Sequence, residues 1–310
     1  MAQDKRLRVI DTAKARARAY LNEHHPERAT RIRDRILELR RFRSVEDRIA
    51  SIERAVYRGV SADQTIHDWE ISIWSQNGED GILLNLFSRI GATSRRFLEF
   101  GCGTGLECNS ANLALEFGWS GLLLDANATH IKKARTFFDN RLGADARRVQ
   151  LRASFVTPEN INDLLGEVTP EGCDLDLLFI DVDSIDYWIW DAVDGFRPRV
   201  VVCEYNASFG PKRSVTVTPR DGFDPFTKHP SGFYHGVSLA ALRKLATSRG
   251  YQLIGCDSAG VNAFFVRRDC ADRLPDLDPV DAYVRNAWRP DPADPEEQYR
   301  LIQHLPLTEV

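Results

Sequence analysis

Two short stretches of the chain collect side chains that could do chemistry. "FIDVDSIDYW" sets Asp181, Asp183 and Asp186 at the end of one apolar run, and "VCEYN" sets Glu204, Tyr205 and Asn206 at the end of another. Carboxylates and an amide oxygen converging on one point suit a hard divalent cation, which makes Asp181, Asp183, Glu204 and Asn206 a candidate set for Mg2+. Other chemistry stays open. Asp183 or Asp186 could be a metal-free general base, the acids could hold an ammonium or a cationic substrate amine, or they could cap a helix starting near Ser184. The connection over 206–235 is too long to be idle in a compact domain and is expected to be a substrate lid. It carries His229, Tyr234 and His235, and histidine titrates near working pH. Asp181, Asp183 and His235 are therefore the catalytic candidates, with Asp186, Tyr205, Asn206 and Tyr234 against the substrate. Lys212 and Arg213 could meet an anionic group, and Asp257, Ser258 and Asn262 are expected on the substrate side.

A third stretch, "FLEFGCGTGLECNSANL", reads Glu99-x-Gly101-x-Gly103-x-Gly105 directly after an apolar strand. Glycines are needed where a backbone turns sharply and lies close to a ligand. Dinucleotide sites prefer G-x-G-x-x-G, with a helix N-terminus facing a pyrophosphate. The spacing here, with an acid ahead of the first glycine, instead suits S-adenosylmethionine, which carries an ammonium and a sulfonium and no phosphate. Asp125 closes the next strand about 20 residues on, where an acid can accept both ribose hydroxyls. Gln76, Glu79, Glu99, Gly101, Cys102, Gly103, Gly105, Asn109, Asp125, Ala126, Ser154 and Asp181 make up the expected cofactor wall. An NAD-dependent oxidoreductase is the competing reading of this turn. A catalytically silent scaffold using basic helices to bind a partner or RNA is another.

The elements that must position these residues follow from periodicity. Residues 96–100, 121–126, 149–153, 175–183 and 199–205 are short apolar strands, separated by helical stretches near 107–117, 127–139, 158–167 and 184–194. Such alternation implies right-handed βαβ units and a parallel sheet. A helix over 237–249 and a hairpin formed by "YQLIGCDS" and "VNAFFVRR" complete an α/β, Rossmann-like class I methyltransferase sheet of expected strand order 3-2-1-4-5-7-6. Its ligand belongs at the carboxyl ends of the strands. Residues 1–68 are expected to be a helical extension, 69–269 the catalytic domain and 270–310 a surface tail.

Bulk composition fits a folded globular protein. The 310 residues are 43% hydrophobic with a net charge of −4, which favours neither nucleic acid nor an anionic membrane as main partner. The charge is uneven, since residues 1–60 hold sixteen Lys/Arg against nine Asp/Glu. That Arg-rich face reads mainly as a solvated helix face, and its helices could also pair two copies of the chain. No apolar run approaches a membrane span, the start lacks a secretory pattern, and the six cysteines form no C-x-x-C. The expectation is a cytoplasmic protein with reduced thiols.

"SQNGEDGIL" (75–83) followed by "FLEFGCGTGLECNSANLALEFGWSGLLLDAN" resembles the FkbM-type methyltransferase group, whose members carry Ser-Gln-x-x-Glu-Asp before strand one and Gly-Trp-x-Gly-x-x-x-Asp-Ala at strand two. "FIDVDSIDYWIW" and "PRVVVCEYNASFGP" fit a bacterial branch of that group. The resemblance spans roughly residues 70–268. It implies a Rossmann-like fold and methyl transfer, commonly to a hydroxyl of a sugar or natural product. A helix alone does not explain the polar cluster Gln76, Asn77, Glu79 and Asp80, although Ser75 with Glu79 nearly fits a capping box. Gln76 and Glu79 are therefore expected at the mouth of the site.

Overall fold

Each central strand of the sheet alternates side chains between two buried faces, the period-2 rule of a strand covered on both sides. The computed structural model describes residues 65–169, 174–219, 229–289 and 294–310; the helices expected before residue 61, and any pairing of copies through them, lie outside the described residues. Strands β1 (Arg96–Phe100), β2 (Ser120–Asp125), β3 (Val149–Ala153), β4 (Leu177–Ile180) and β5 (Val200–Glu204) run parallel. Leu98, Leu122, Leu178 and Val201 face one core, while Phe97, Leu123, Phe179 and Val202 face the other.

Helices among the described residues cover both faces. Helices α1 (Glu79–Ile90), α2 (Ala111–Phe117) and α3 (Ala128–Leu142) bury Ile82, Leu86, Leu113 and Phe138 against the Phe97 face. Helices α4 (Ile161–Val168), α5 (Asp186–Ala192) and α6 (Leu239–Ser248) bury Leu164, Trp190 and Leu242 against the other. Trp190 is core, and Trp188 donates from Nε1 to the Val217 carbonyl at 3.0 Å. Ser238 caps α6, its Oγ accepting from the Ala241 amide at 3.2 Å.

Between β5 and α6 lies β6 (Val215–Val217); β7 (Tyr251–Cys256) and β8 (Asn262–Arg267) then form the antiparallel hairpin. Strand β8 inserts beside β5, pairing Glu204 with Asn262. The order β3-β2-β1-β4-β5-β8-β7 is the expected 3-2-1-4-5-7-6 with one number added by β6. The chain has the Rossmann-like class I methyltransferase fold.

The described parts of the 206–235 connection are built into the body of the protein. Residues 207–209 form a 3-10 turn, and β6 pairs antiparallel with β9 (Leu307–Glu309) from the chain end. Helix α7 (Pro279–Ala282) and helix α8 (Pro295–Ile302) precede β9. Phe209, Val217, Phe233, Tyr234 and Ile302 share a small core there. Arg213 is held by Glu296 of α8 in a two-pronged pair at 2.8 and 2.6 Å and lies over the Tyr299 ring, so it serves this junction and not an anionic substrate. Among the described residues no helix is long and apolar enough to cross a membrane.

Candidate active site

The carboxyl edge of β1 turns through three glycines, and two of them report on different neighbours. Gly101 sits at φ +72°, and a Cβ there would lie 2.2 Å from the Asp181 carbonyl oxygen, so only glycine lets β1 and β4 end so close together. Gly103 sits at φ +54° with nothing within 4 Å of a Cβ, so its missing side chain faces open space. Asp125, at the end of β2, accepts from the Gly103 amide at 3.0 Å and the Asn127 amide at 2.7 Å, with His130 Nδ1 3.3 Å away. A carboxylate has about four acceptor directions, so Asp125 ties the turn to α3 and retains capacity for a ligand hydroxyl.

Glu99 shares a face with Phe97 because the two stand two positions apart on one strand. It is buried, and accepts from the amides of Asn109 at 2.9 Å and Ser110 at 2.7 Å and from Cys108 Sγ at 3.4 Å. Burial raises its pKa and these donors oppose the rise. Glu99 thus fixes the entry to α2 and does not point at open space as an ammonium ligand would. Cys102 is buried, and burial followed by the charges of Glu99 and Asp125 pushes its thiol up, which leaves it unreactive. Ala126 is exposed; Ser154 is partly exposed and its amide donates to the Asp125 carbonyl at 3.1 Å. Phe155, next to it, is 66% exposed, an apolar ring at the same edge that the sequence reading passed over.

The loop before α1 is organised by its acids. Asp80 accepts from the amides of Ile73 at 2.8 Å, Trp74 at 2.5 Å and Ser75 at 2.8 Å, while its own amide donates to Ser75 Oγ at 3.0 Å. Glu79 is buried; it accepts from the Asn77 amide at 2.8 Å and from Asn262 Nδ2 at 2.8 Å, which links the loop to the hairpin. Gln76 is exposed. On the hairpin, Asp257 caps its own turn through the amides of Val261 at 3.0 Å and Asn262 at 2.7 Å, and Ser258 is engaged by Glu70.

The acid cluster forms, with fewer members than the sequence suggested. One carboxylate oxygen each from Asp181, Asp183 and Glu204 lies within 4.8 Å of the others. Burial, then the charges of Asp183 and Asp186, holds the Asp181 carboxyl well above its ordinary range, although the residue as a whole is only partly covered. Glu204 is 7% exposed; burial, then Asp181 and Asp183, raises it likewise, and its Oε2 has no hydrogen-bond partner among the described residues. A buried unpartnered carboxylate oxygen is costly, and a proton or a cation would relieve it. Asp183 has a left-handed φ of +55°, rare for a side-chain-bearing residue. The set fits a hard cation: three oxygen donors, one of them orphaned.

Several neighbours face elsewhere. Asp186 accepts from the amides of Val182 at 2.9 Å and Ser184 at 3.1 Å and so caps the turn into α5; burial raises it to about 7. Asn206 does not join the cluster: Oδ1 accepts from the Ser208 amide at 3.0 Å, and Nδ2 donates to the carbonyls of Phe233 at 2.6 Å and His235 at 2.8 Å. Tyr205 donates to the Val284 carbonyl at 2.6 Å and Tyr234 to the Pro306 carbonyl at 2.5 Å, so both phenols fasten backbone rather than substrate. His229 lies 2.6 Å from Ser231 Oγ and stacks edge-on near His304.

His235 is buried with Nε2 4.0 Å from Glu204 Oε1, and burial followed by the charge of Arg289 keeps it neutral, well below the usual range. Arg289 was not foreseen. Its Nη1 is 3.4 Å from His235 Nδ1 and its Nη2 3.1 Å from Nε2. The two ring nitrogens point in diverging directions, so a guanidinium near both lies across the ring face. Nothing in the spacing of "NAWRPDPAD" announces this; it depends on where the chain end is led.

No family model matches the chain, and no curated protein matches it. Among similar solved structures is magnesium protoporphyrin IX methyltransferase from Synechocystis with bound S-adenosylmethionine (14% identity, 71% of this chain and 90% of that one covered, TM-score 0.41). Another is an O-methyltransferase from Bacillus cereus in complex with S-adenosylhomocysteine (17% identity, 70% and 87% covered, TM-score 0.39). A third is a glycopeptide N-methyltransferase complexed with S-adenosylmethionine (9% identity, 63% and 96% covered, TM-score 0.37).

Proposed function

We propose that the chain is an S-adenosylmethionine-dependent methyltransferase of FkbM-like type that methylates a hydroxyl of a small acceptor, a sugar or natural product, with Mg2+ assisting. One observation carries this reading: the close approach of Gly101 to Asp181 makes the glycine turn and the acid cluster adjoining walls of one site. A cofactor seated on the turn is thereby beside the groups that would bind an acceptor. Asp125 would hold the ribose, the open face at Gly103 would accommodate the amino-acid moiety, and Phe155 would flank the base. Glu99 keeps the turn in shape through the Asn109 and Ser110 amides.

When bound, S-adenosylmethionine supplies an electrophilic methyl on sulfur, and a divalent cation lowers the pKa of a coordinated hydroxyl. The chain's part is alignment and proton handling. Asp181, Asp183 and Glu204 would hold the cation, and a cluster oxygen not engaged by it would take the hydroxyl proton. His235 stands between Glu204, 4.0 Å away, and Arg289. The free, largely buried thiols Cys102, Cys108, Cys203 and Cys256 suit a reducing, cytoplasmic setting.

The test is calorimetric titration with S-adenosylhomocysteine, with NADH as control, followed by transfer of labelled methyl to a panel of hydroxylated acceptors. Asp125→Asn should weaken S-adenosylhomocysteine binding. Glu204→Gln should leave that binding intact and abolish transfer. Binding of NADH in preference to S-adenosylhomocysteine would move the chain to the oxidoreductases.

A further inference from the structure

The chain end brings a cation of its own to the acid cluster. Residues 282–289 form a strap fastened along its length. The Tyr283 hydroxyl donates to the Ala207 carbonyl at 2.6 Å, the Tyr205 hydroxyl to the Val284 carbonyl at 2.6 Å, and the Ala287 amide to the Ala259 carbonyl at 2.8 Å. Trp288 Nε1 donates to Asn77 Oδ1 at 3.2 Å, and Gln298 Nε2 to the Arg289 carbonyl at 3.1 Å. So held, Arg289 lies against His235, whose ring also has Asn206 Nδ2 3.3 Å from Nδ1 and Glu204 Oε1 4.0 Å from Nε2. Both Glu204 and Asp183 feel its charge. A guanidinium whose own carbonyl and whose preceding residues are held is placed by the fold, not by chance of a mobile surface side chain.

From this we propose that docking of the strap and binding of a divalent cation at Asp181, Asp183 and Glu204 are linked and opposed, with Arg289 as the coupling residue. The inference rests on the metal-assisted part of the reading above. A positive charge beside a cation site weakens that cation, and by reciprocity the bound cation weakens the attraction that seats the positive charge. Even with water-like screening, one positive charge acting past His235 on a doubly charged ion at about 6 Å changes affinity by about tenfold. Metal loading would thus loosen the strap at the mouth of the site.

The full chain should be titrated with Mn2+ by calorimetry as wild type, Arg289→Gln, Arg289→Lys and Glu204→Gln, each checked for folding by circular dichroism. Arg289→Gln is expected to bind Mn2+ about tenfold or more tightly than wild type, Arg289→Lys to resemble wild type because it keeps the charge, and Glu204→Gln to lose the site. Mn2+ should also speed tryptic cleavage of wild type after Arg285, the strap's cleavable basic residue, since Arg289 is followed by Pro290. Equal affinity in wild type and Arg289→Gln would overturn the linkage and leave the metal site standing. Equal tightening in Arg289→Lys would assign the effect to lost packing and overturn it too. No Mn2+ binding by any folded variant would instead remove the metal reading, and the linkage with it.

Discussion

Substituting Gly103 by Ala separates the cost of a backbone conformation from the loss of a ligand seat. Gly103 and Gly118 both have positive φ, +54° and +71°, and neither has an atom within 4 Å of a Cβ. Alanine in the left-handed region costs about 1–2 kcal/mol at either position, which lowers Tm by a few degrees in a protein of this size. The open face of Gly103 is the proposed seat of the cofactor's amino-acid moiety, whereas Gly118 is an exposed helix C-cap. A methyl forced into an occupied seat costs about 1–3 kcal/mol, roughly a 5- to 150-fold loss in affinity. Differential scanning fluorimetry and calorimetry with S-adenosylhomocysteine read the two effects independently. Both variants should lose similar stability, and only Gly103→Ala should lose binding. A folded Gly103→Ala that binds S-adenosylhomocysteine as wild type does would refute the assignment of the turn.

Other outcomes follow from the same geometry. Gly101→Ala, with its Cβ 2.2 Å from the Asp181 carbonyl, must displace the end of β4; unlike Gly103→Ala it should cost about 2–5 kcal/mol in chemical denaturation, the sum of the left-handed penalty and overpacking. Tyr205→Phe removes the hydroxyl bonded to Val284; it should cost about 0.5–1.5 kcal/mol and speed tryptic cleavage of the strap, and unchanged cleavage would show that the strap is held elsewhere. Burial raises Asp186 to about 7 and Asp257 to about 8, above their unfolded value of 3.8. The folded state therefore binds more protons than the unfolded state up to those values, so stability present at lower pH is lost as pH rises through them. In metal-free buffer Tm should fall from pH 7 to 9, a window above the titration of the histidines, by an amount worth about 1–2 kcal/mol; a rising Tm there would contradict the buried-acid account.

The sheet was legible because its strands are buried on both faces and read as apolar runs, and because an acid amid such a run, Glu99, has to be there for a reason. That reason was legible only in part. A carboxylate at a strand end looks the same in sequence whether it meets a ligand or the orphan amides of a helix start, and Glu99 and Asp186 meet amides. Asn206, Tyr205 and Tyr234 stand at the sites expected for substrate contacts, yet each satisfies backbone groups that folding would otherwise leave unpaired. The anchoring of the described parts of the 206–235 connection was hidden because β6 is three residues long and its partner β9 lies some ninety positions away, beyond any local pattern. Arg289 was hidden for the same reason: its place is set by the strap's contacts with Ala207, Ala259 and Asn77.

The most direct test of the central claim is a crystal structure of the chain with S-adenosylhomocysteine. The account predicts the ligand along Gly101–Gly105, its ribose on Asp125 and its sulfur end toward Asp181 and Glu204. Ligand bound away from the glycine turn, or folded protein that takes up none at saturating concentration, would contradict it.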